Sequence, residues 1–489
     1  MGKGGEQRPT TMAQKESTNE AETKLISWGD VTKHRTPHDA WMVVNNKVYD
    51  ISGWHEHPGG DVIFTAAGDD GTDTFTMFHA QGTMKELNRF FIGDLDQASK
   101  KQWSNEKPKS EEQLDFEKGY RNLRMQMRKM GLFDSSPLFY AYKMASTLML
   151  AIGSWLAIEA FNGPSMAHFA VRCAAAATMG IFFQQCGWLC HEVLHHQVFK
   201  NRVTGKWVGY FWGNVAQGFS CSWWTNKHNT HHAVPNVHAT GEDEQNGDPD
   251  IETMPFLAWS SEMLKQFDGG AVNRFMVSHQ NIMYFPLLAL ARVVWLQQSI
   301  AYAAYGLLPE SLRDETAGRG VKGAPGELKP VSHEKFELFC LALHYVWYFA
   351  VASRLPSWGE AALFCLISNV SCGLGLAIVF GLGHNGMAVY DARNRPDYWK
   401  LQVTTTRNIS HDRFGFVHWF CGGLDYQVEH HLFPTVPRHH LKKVNELTMA
   451  FCASRGVHYH EAGLIAGTVE VLTCLKEIAT EFVTEFPAM

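Results

Sequence analysis

Apolar and polar positions divide the chain into two unequal parts. From Ile26 to Asp94, short apolar runs alternate with turn residues, the pattern of a small α+β module. Within it, Trp41-Met42-Val43-Val44 and Lys47-Val48-Tyr49-Asp50 flank Asn45-Asn46, which predicts a hairpin. Between Gln97 and Gln113 the composition turns to Lys, Glu, Ser and Asn, the chemistry of a linker, so the boundaries expected are 26–96, a linker over 97–116, and a second part over 117–489. After Pro137 the pattern changes to long apolar runs. A helix needs about 20 residues to cross the hydrocarbon of a bilayer, at a rise of about 1.5 Å per residue. Four stretches are long enough: residues 138–160, about 168–190, about 336–352 and 361–382.

A fifth apolar segment, residues 284–305, is interrupted by Arg292, Gln297 and Gln298 and is predicted to lie in the membrane plane as an amphipathic helix. Parity supports this. The histidine-rich soluble stretches follow the second and fourth crossings, and a fifth crossing between them would put the last one across the membrane from the others. The expected architecture is a small α+β domain, then an all-α membrane domain of about four transmembrane helices with a helical cap on one face.

The chain has 489 residues and a net charge of −6, with no long basic block, so no nucleic-acid partner is expected. Ten cysteines include no C-x-x-C pair, and the closest two, Cys186 and Cys190, fall inside an apolar run. A disulfide framework is therefore not expected, and a reducing, cytosolic face is. The first twenty residues are polar without an apolar signal core, and a disordered tail is predicted over 1–25. Histidine is the outlier: 25 residues, many in doublets, point to bound metal.

One constellation lies in the small domain. His57-Pro58-Gly59-Gly60 is followed downstream by His79, with His55 the local competitor for His57. By itself the tetrapeptide reads as a turn and His79 as a surface residue. With Trp41, Val48-Tyr49-Asp50 and Phe91-Ile92-Gly93, however, the region resembles cytochrome b5. That resemblance implies haem b held by His57 and His79, one imidazole on each face, an arrangement suited to passing single electrons.

Three clusters mark the second part: His191-Glu192-Val193-Leu194-His195-His196, His228-Asn229-Thr230-His231-His232 and Gln427-Val428-Glu429-His430-His431. Residues three and four apart share a helix face, so each cluster aims its imidazoles at one point. A single H-x-x-x-H would read as a surface patch or a zinc site. Zinc takes about four ligands and suits this set poorly, whereas imidazole suits iron, and an iron pair could activate dioxygen against an unactivated methylene.

These boxes, with the fused haem-type domain and the glutamine opening the third, resemble the front-end fatty acid desaturases from Trp28 onward. The likeness is to Δ6 acyl desaturases of diatoms and related algae, through Phe182-Phe183-Gln184-Gln185, Trp223-Trp224, His232-Ala233-Val234-Pro235-Asn236, Gly247-Asp248-Pro249-Asp250, Gly383-His384-Asn385-Gly386-Met387 and Gln402-Val403-Thr404-Thr405-Thr406-Arg407-Asn408. It implies two non-haem iron ions on His191, His195, His228, His231, His232, His430 and His431, with His384 similar to an extra ligand. Gln427 ligates or supports, and His196 stands beside His195 because relatives differ over which of the doublet they use. It further implies a fatty acyl substrate on a glycerolipid or coenzyme A, an NADH-cytochrome b5 reductase as donor, and an endoplasmic reticulum membrane with both redox sites facing the cytosol.

Glu192, Thr230, Glu429 and the run from Ser410 to Val417 depart from the Δ6 pattern without touching a ligand, and leave Δ5, Δ8 and Δ11 chemistry open. A fatty acid or sphingolipid hydroxylase is the alternative reading, and an electron carrier without catalysis a second. His168 and His344 are expected to be satisfied helix residues, and His439-His440 to lie on an interfacial helix. Trp223, Trp224, Trp399 and Trp419 are expected either to line an acyl channel or to anchor the interface. Asp248 and Asp250 are expected to orient a histidine of the second box.

Overall fold

The computed structural model describes residues 24–79, 81–99, 111–239, 247–307, 333–392 and 395–487. The tail predicted over 1–25 falls, but for its last two residues, outside the described residues, as do 100–110 of the predicted linker.

The small domain is built on a five-stranded sheet, ordered β1-β5-β4-β3-β2: β1 (Leu25–Ile26), β2 (Arg35–Thr36), β3 (Asp39–Val44), β4 (Lys47–Asp50) and β5 (Phe91–Leu95). The predicted hairpin is β3–β4, with Trp41 opposite Asp50 and Val44 opposite Lys47. Asn45 and Asn46 take φ of 51° and 60°, the left-handed pair that matches a two-residue turn to the strand twist. Met42, Val44, Tyr49 and Phe64 fill one side of the sheet, and Val31, Val43 and Val48 the other. Helix α1 (Thr72–Phe78) ends at His79.

Helix α2 (Glu111–Lys129) begins inside the stretch expected to be linker. Phe116, Tyr120, Leu123 and Met127 form an apolar stripe along it, buried against both parts of the protein. Phe116 stacks on Trp399 and the Tyr120 hydroxyl donates to the Leu432 carbonyl at 3.0 Å, while Arg121 pairs with Asp73 of α1. The segment that looked like a spacer therefore joins the domains.

Among the described residues, four helices are long and apolar enough to cross a membrane: α3 (Pro137–Ala160), α4 (Met166–Leu194), α8 (Glu334–Ala352) and α9 (Trp358–His384). They coincide with the four expected stretches. Ser136, Ser165 and Ser357 cap α3, α4 and α9, each accepting a hydrogen bond from a first-turn amide. At 29 and 27 residues, α4 and α9 are about 40 Å long, longer than the ~30 Å hydrocarbon core. The excess length is enough to carry His191 and His384, which lie near their C-termini, past such a layer.

Residues 280–304 are not the single amphipathic helix expected. Helices α6 (Gln280–Ala289) and α7 (Ala291–Ala304), numbered to follow the box-two helix α5 (Cys221–Ala233), meet at 60°. Arg292 points inward, with 1% of its surface exposed, and donates to the Gln217 carbonyl at 2.7 Å and to Asn369. A guanidinium taken out of water needs acceptors for its N–H donors, and these partners turn the residue toward the protein. The C-terminal region adds α10 (Tyr398–Thr404), α11 (Gln427–Leu432), α12 (Leu441–Ser454) and α13 (Leu464–Glu485). All ten cysteines are free, as the sequence predicted.

Candidate metal centre

Helices α4, α5, α9 and α11 deliver their histidines to one buried volume. His191, His195, His228, His232 and His430 form one group, and His231, His384 and His431 a second, with ligand atoms within 4.8 Å of one another in each. The groups adjoin, since the His232 and His431 rings stack at 4.1 Å. Parity is respected, because the third box meets the first two on one side of the helical layer.

The donor set fits cations. Nε2 of His191, His195, His430 and His431 is buried without a hydrogen-bond partner. The Nε2 atoms of His228 and His232 face each other at 3.1 Å, and those of His231 and His384 at 3.2 Å. His231 and His384 carry their ring protons on Nδ1, so their Nε2 lone pairs face each other with no donor between them, and buried polar atoms left unmatched cost about 1–3 kcal/mol each. A metal ion in each group would resolve these contacts. The Gln427 amide approaches His384 Nε2 at 2.7 Å, so it stands within reach of the second group.

Groups outside this set aim the rings. His231 Nδ1 donates to Asp248 at 2.9 Å, His431 Nδ1 to Gln402 Oε1 at 2.9 Å, and His384 Nδ1 to the Thr405 carbonyl at 3.2 Å. Each bond places the proton on Nδ1 and the lone pair on Nε2. Burial first, then neighbouring imidazoles, hold His195, His228, His232 and His431 well below the ordinary histidine range, and burial brings His430 down to about 3. Burial also opposes charge on His231, but the Asp248 carboxylate outweighs it and the net shift is upward.

His196 joins neither group. It follows the end of α4 at φ 60°, which turns its side chain away from the cluster, toward Arg202 and His79. His195 is the member of the doublet that points inward. Trp223, Trp224 and Trp399 are buried rather than interfacial, and Trp224 stacks on His228 with ring centres 4.3 Å apart. Trp419 is half-buried, its carbonyl accepting from Gln185. His344 is satisfied by the Val215 carbonyl and Arg292, and His168 accepts from the Gly163 amide. Arg438–His440 is a short 3-10 turn before α12.

The sequence reading passed over the pair that ties the first box to the chain after the third. Glu192 and Arg438, each 2% exposed, form two bonds of 2.6 and 2.8 Å, with Tyr140 on the same carboxylate. Glu192 had registered only as a departure from a pattern. His411 and His418, both bonded to the buried Asp425, make a separate group of potential ligands away from the eight histidines.

In the small domain, the His57 and His79 rings face each other with centres 5.8 Å apart. His57 Nδ1 donates to the Gly60 carbonyl and His79 Nδ1 to the Phe75 carbonyl, so both rings turn their Nε2 lone pairs to the gap. His55 is engaged elsewhere, against Asp61 and Phe64. At Gly59 a Cβ would lie 2.8 Å from the His57 ring, which is why the turn needs glycine there.

A haem-type module fused to apolar helices with converging histidine boxes has the parts of a membrane redox enzyme. Residues 167–463 match the fatty acid desaturase family and residues 27–96 the cytochrome b5-like haem/steroid binding domain; the chain belongs to the fatty acid desaturases, with a cytochrome b5 domain fused at its N-terminal side. It is 36% identical over 92% of its length to the acyl-lipid (9-3)-desaturase of Physcomitrium patens, covering 77% of that protein. It is 31% identical to the Delta(5) fatty acid desaturase fat-4 of Caenorhabditis elegans, over 82% of this chain and 87% of that one. Likeness to the Delta(8)-fatty-acid desaturase of Euglena gracilis is also 31%, over 88% and 94%. The protein is thus an oxidoreductase of the front-end desaturase type, with a haem-binding domain and the apolar helices of an integral membrane protein.

Proposed function

We propose that the chain introduces a cis double bond at the Δ6 position of a fatty acyl chain, using two non-haem iron ions held by His191, His195, His228, His232 and His430 and by His231, His384 and His431, with Gln427 at the second ion. The observation that carries this is the convergence of eight buried imidazoles, from four separate elements, on two adjoining points. A bound iron pair would supply dioxygen activation and removal of hydrogen from an unactivated methylene. The chain's own residues do the rest. Neutral imidazoles keep the centre electrophilic, Asp248, Gln402 and Thr405 fix their tautomers, and the Glu192–Arg438 pair holds the first box in register with the third. Trp224 against His228 shields the ligands from water.

Residues 26–96 act as the haem b domain, with His57 and His79 as axial ligands, and 117–489 as the catalytic domain. Electrons enter from an NADH-cytochrome b5 reductase, and the acyl group arrives on a glycerolipid or coenzyme A. Four crossings would put both redox sites on one face of the membrane, and we assign that face to the cytosol of an endoplasmic reticulum membrane. Δ6 chemistry is supported by the Gln402–Asn408 and Gly383–Met387 motifs; the relatives' names include Δ5 and Δ8 activities. Expression in yeast lacking such enzymes, with fed polyunsaturated acids and gas chromatography of the lipids, tests the reading. A new Δ6 double bond is expected. A Δ5 or Δ8 product would overturn the regiochemistry alone, and a hydroxylated product the reaction.

A further inference from the structure

Helix α5 has two working faces. His228, His231 and His232 lie on one, toward the histidine cluster. Asn226 and Asn229, three residues apart on the opposite face, meet the haem domain. Asn229 donates to the Gly59 carbonyl at 3.0 Å and Asn226 Oδ1 accepts from the Asp61 amide at 3.2 Å, so the His-Pro-Gly-Gly turn beside His57 is clamped to the second box. A Cβ at Gly60 would collide with the Asn226 side chain, so glycine is needed there for close approach as well as for its φ of 85°.

The segment leading to the other axial histidine is held by α2 and by the chain after the first box. Arg202 donates to the Phe78 carbonyl at 3.0 Å and Arg124 to the Thr76 carbonyl, while Tyr120 touches Met77 Sδ at 3.4 Å. Phe78 directly precedes His79, and its ring meets the His232 ring edge-on with centres 6.2 Å apart. One residue thus joins a haem ligand by covalent bonds to a cluster ligand by ring contact.

We propose that Phe78 is the electron bridge between the two redox sites, and that Asn226 and Asn229 are positioning residues holding the haem domain closed on it. This rests on the iron reading above. In each passage one electron leaves ferrous haem, which becomes ferric, and reduces one ferric ion of the cluster to ferrous; two passages reduce the pair. A reduced donor outside the chain then returns the haem to the ferrous state. Because electron tunnelling weakens exponentially with distance, a short path through an aromatic ring outruns one through a solvent gap.

The test uses the full chain loaded with haem and iron in nanodiscs. Haem is reduced with dithionite, freed of excess reductant and mixed with oxygen and acyl substrate, and its reoxidation is followed by stopped-flow absorbance. Phe78→Ala is expected to slow reoxidation on the order of tenfold, with Phe78→Trp restoring it. Its haem spectrum, haem potential, non-haem iron content and hydrogen exchange of 57–61 should be unchanged. Asn226→Leu/Asn229→Leu should slow reoxidation and also raise exchange in 57–61, a readout that needs no turnover. Wild-type reoxidation in Phe78→Ala overturns the bridge, and slowing with increased exchange assigns Phe78 to docking and overturns it likewise. Unchanged exchange in the double variant overturns the clamp. Failure of the wild-type protein to hold two non-haem irons or to make a double bond would instead refute the iron reading.

Discussion

Asp248→Asn isolates what aims a ligand without removing one. Asp248 is fully buried; one carboxylate oxygen accepts from the Asp250 amide at 2.9 Å, the other from the Asn236 amide at 2.8 Å, and His231 Nδ1 lies within 3.1 Å of both. Asparagine keeps the shape but replaces one oxygen with an NH2. In either amide orientation a backbone N–H then faces a donor, an unmatched buried group worth about 1–3 kcal/mol. The His231 ring also loses the charged acceptor that keeps its proton on Nδ1, and loss of such partners weakens metal binding by about 10–100-fold. That range corresponds to about 1.4–2.8 kcal/mol, consistent with the first figure. The assay is retained non-haem iron after dialysis against a graded chelator, measured beside Asp250→Asn, whose carboxylate is more exposed and stands 3.6 Å from the same ring. Asp248→Asn should release iron at roughly tenfold or more lower chelator, and Asp250→Asn at a smaller offset. Iron retention by Asp248→Asn equal to that of the wild-type protein would refute the reasoning.

Arg438→Ala leaves Glu192 charged or forces it neutral in a buried site, and should cost about 3–5 kcal/mol, read as a lower unfolding midpoint in detergent; Glu192→Leu with Arg438→Met should recover most of it. His231→Ala should abolish the double bond while leaving the haem spectrum intact, because His231 lies in the second metal group and not in the haem domain; retained desaturation would remove the second box from the mechanism. His57→Ala should eliminate haem and, with it, desaturation driven through the fused domain, while non-haem iron content stays at the wild-type value. Activity in its absence, supplied by a separate haem protein, would show the fusion to be dispensable.

The histidine boxes and apolar helices were legible because they follow short-range rules: i, i+3 and i, i+4 spacing for the boxes, length for the membrane helices, and a two-asparagine turn for the hairpin. Even the shared face of the three boxes followed from counting crossings. What the sequence hid depends on partners distant along the chain. Arg292 looked like an exposed polar break, yet Gln217 and Asn369, from two other segments, make it an interior residue. Trp224 and Trp399 carry the composition of interface anchors, and only the packed structure places one on His228 and the other on Phe116. His195 and His196 are the same residue type in adjacent positions, and a single positive φ separates them. Residues 111–116 read as spacer because they continue the Lys, Glu, Ser and Asn composition that starts at Gln97, although the apolar stripe of α2 packs against both domains.

Metal analysis of haem-free protein decides whether the eight histidines hold a pair of iron ions. His57→Ala purified from iron-replete cells, and counted by mass spectrometry against quantitative amino-acid analysis, removes the haem contribution. Two iron atoms per chain are expected, falling when His231 or His384 is also replaced by alanine. A chain holding zinc, or no iron, in that form would contradict the iron pair.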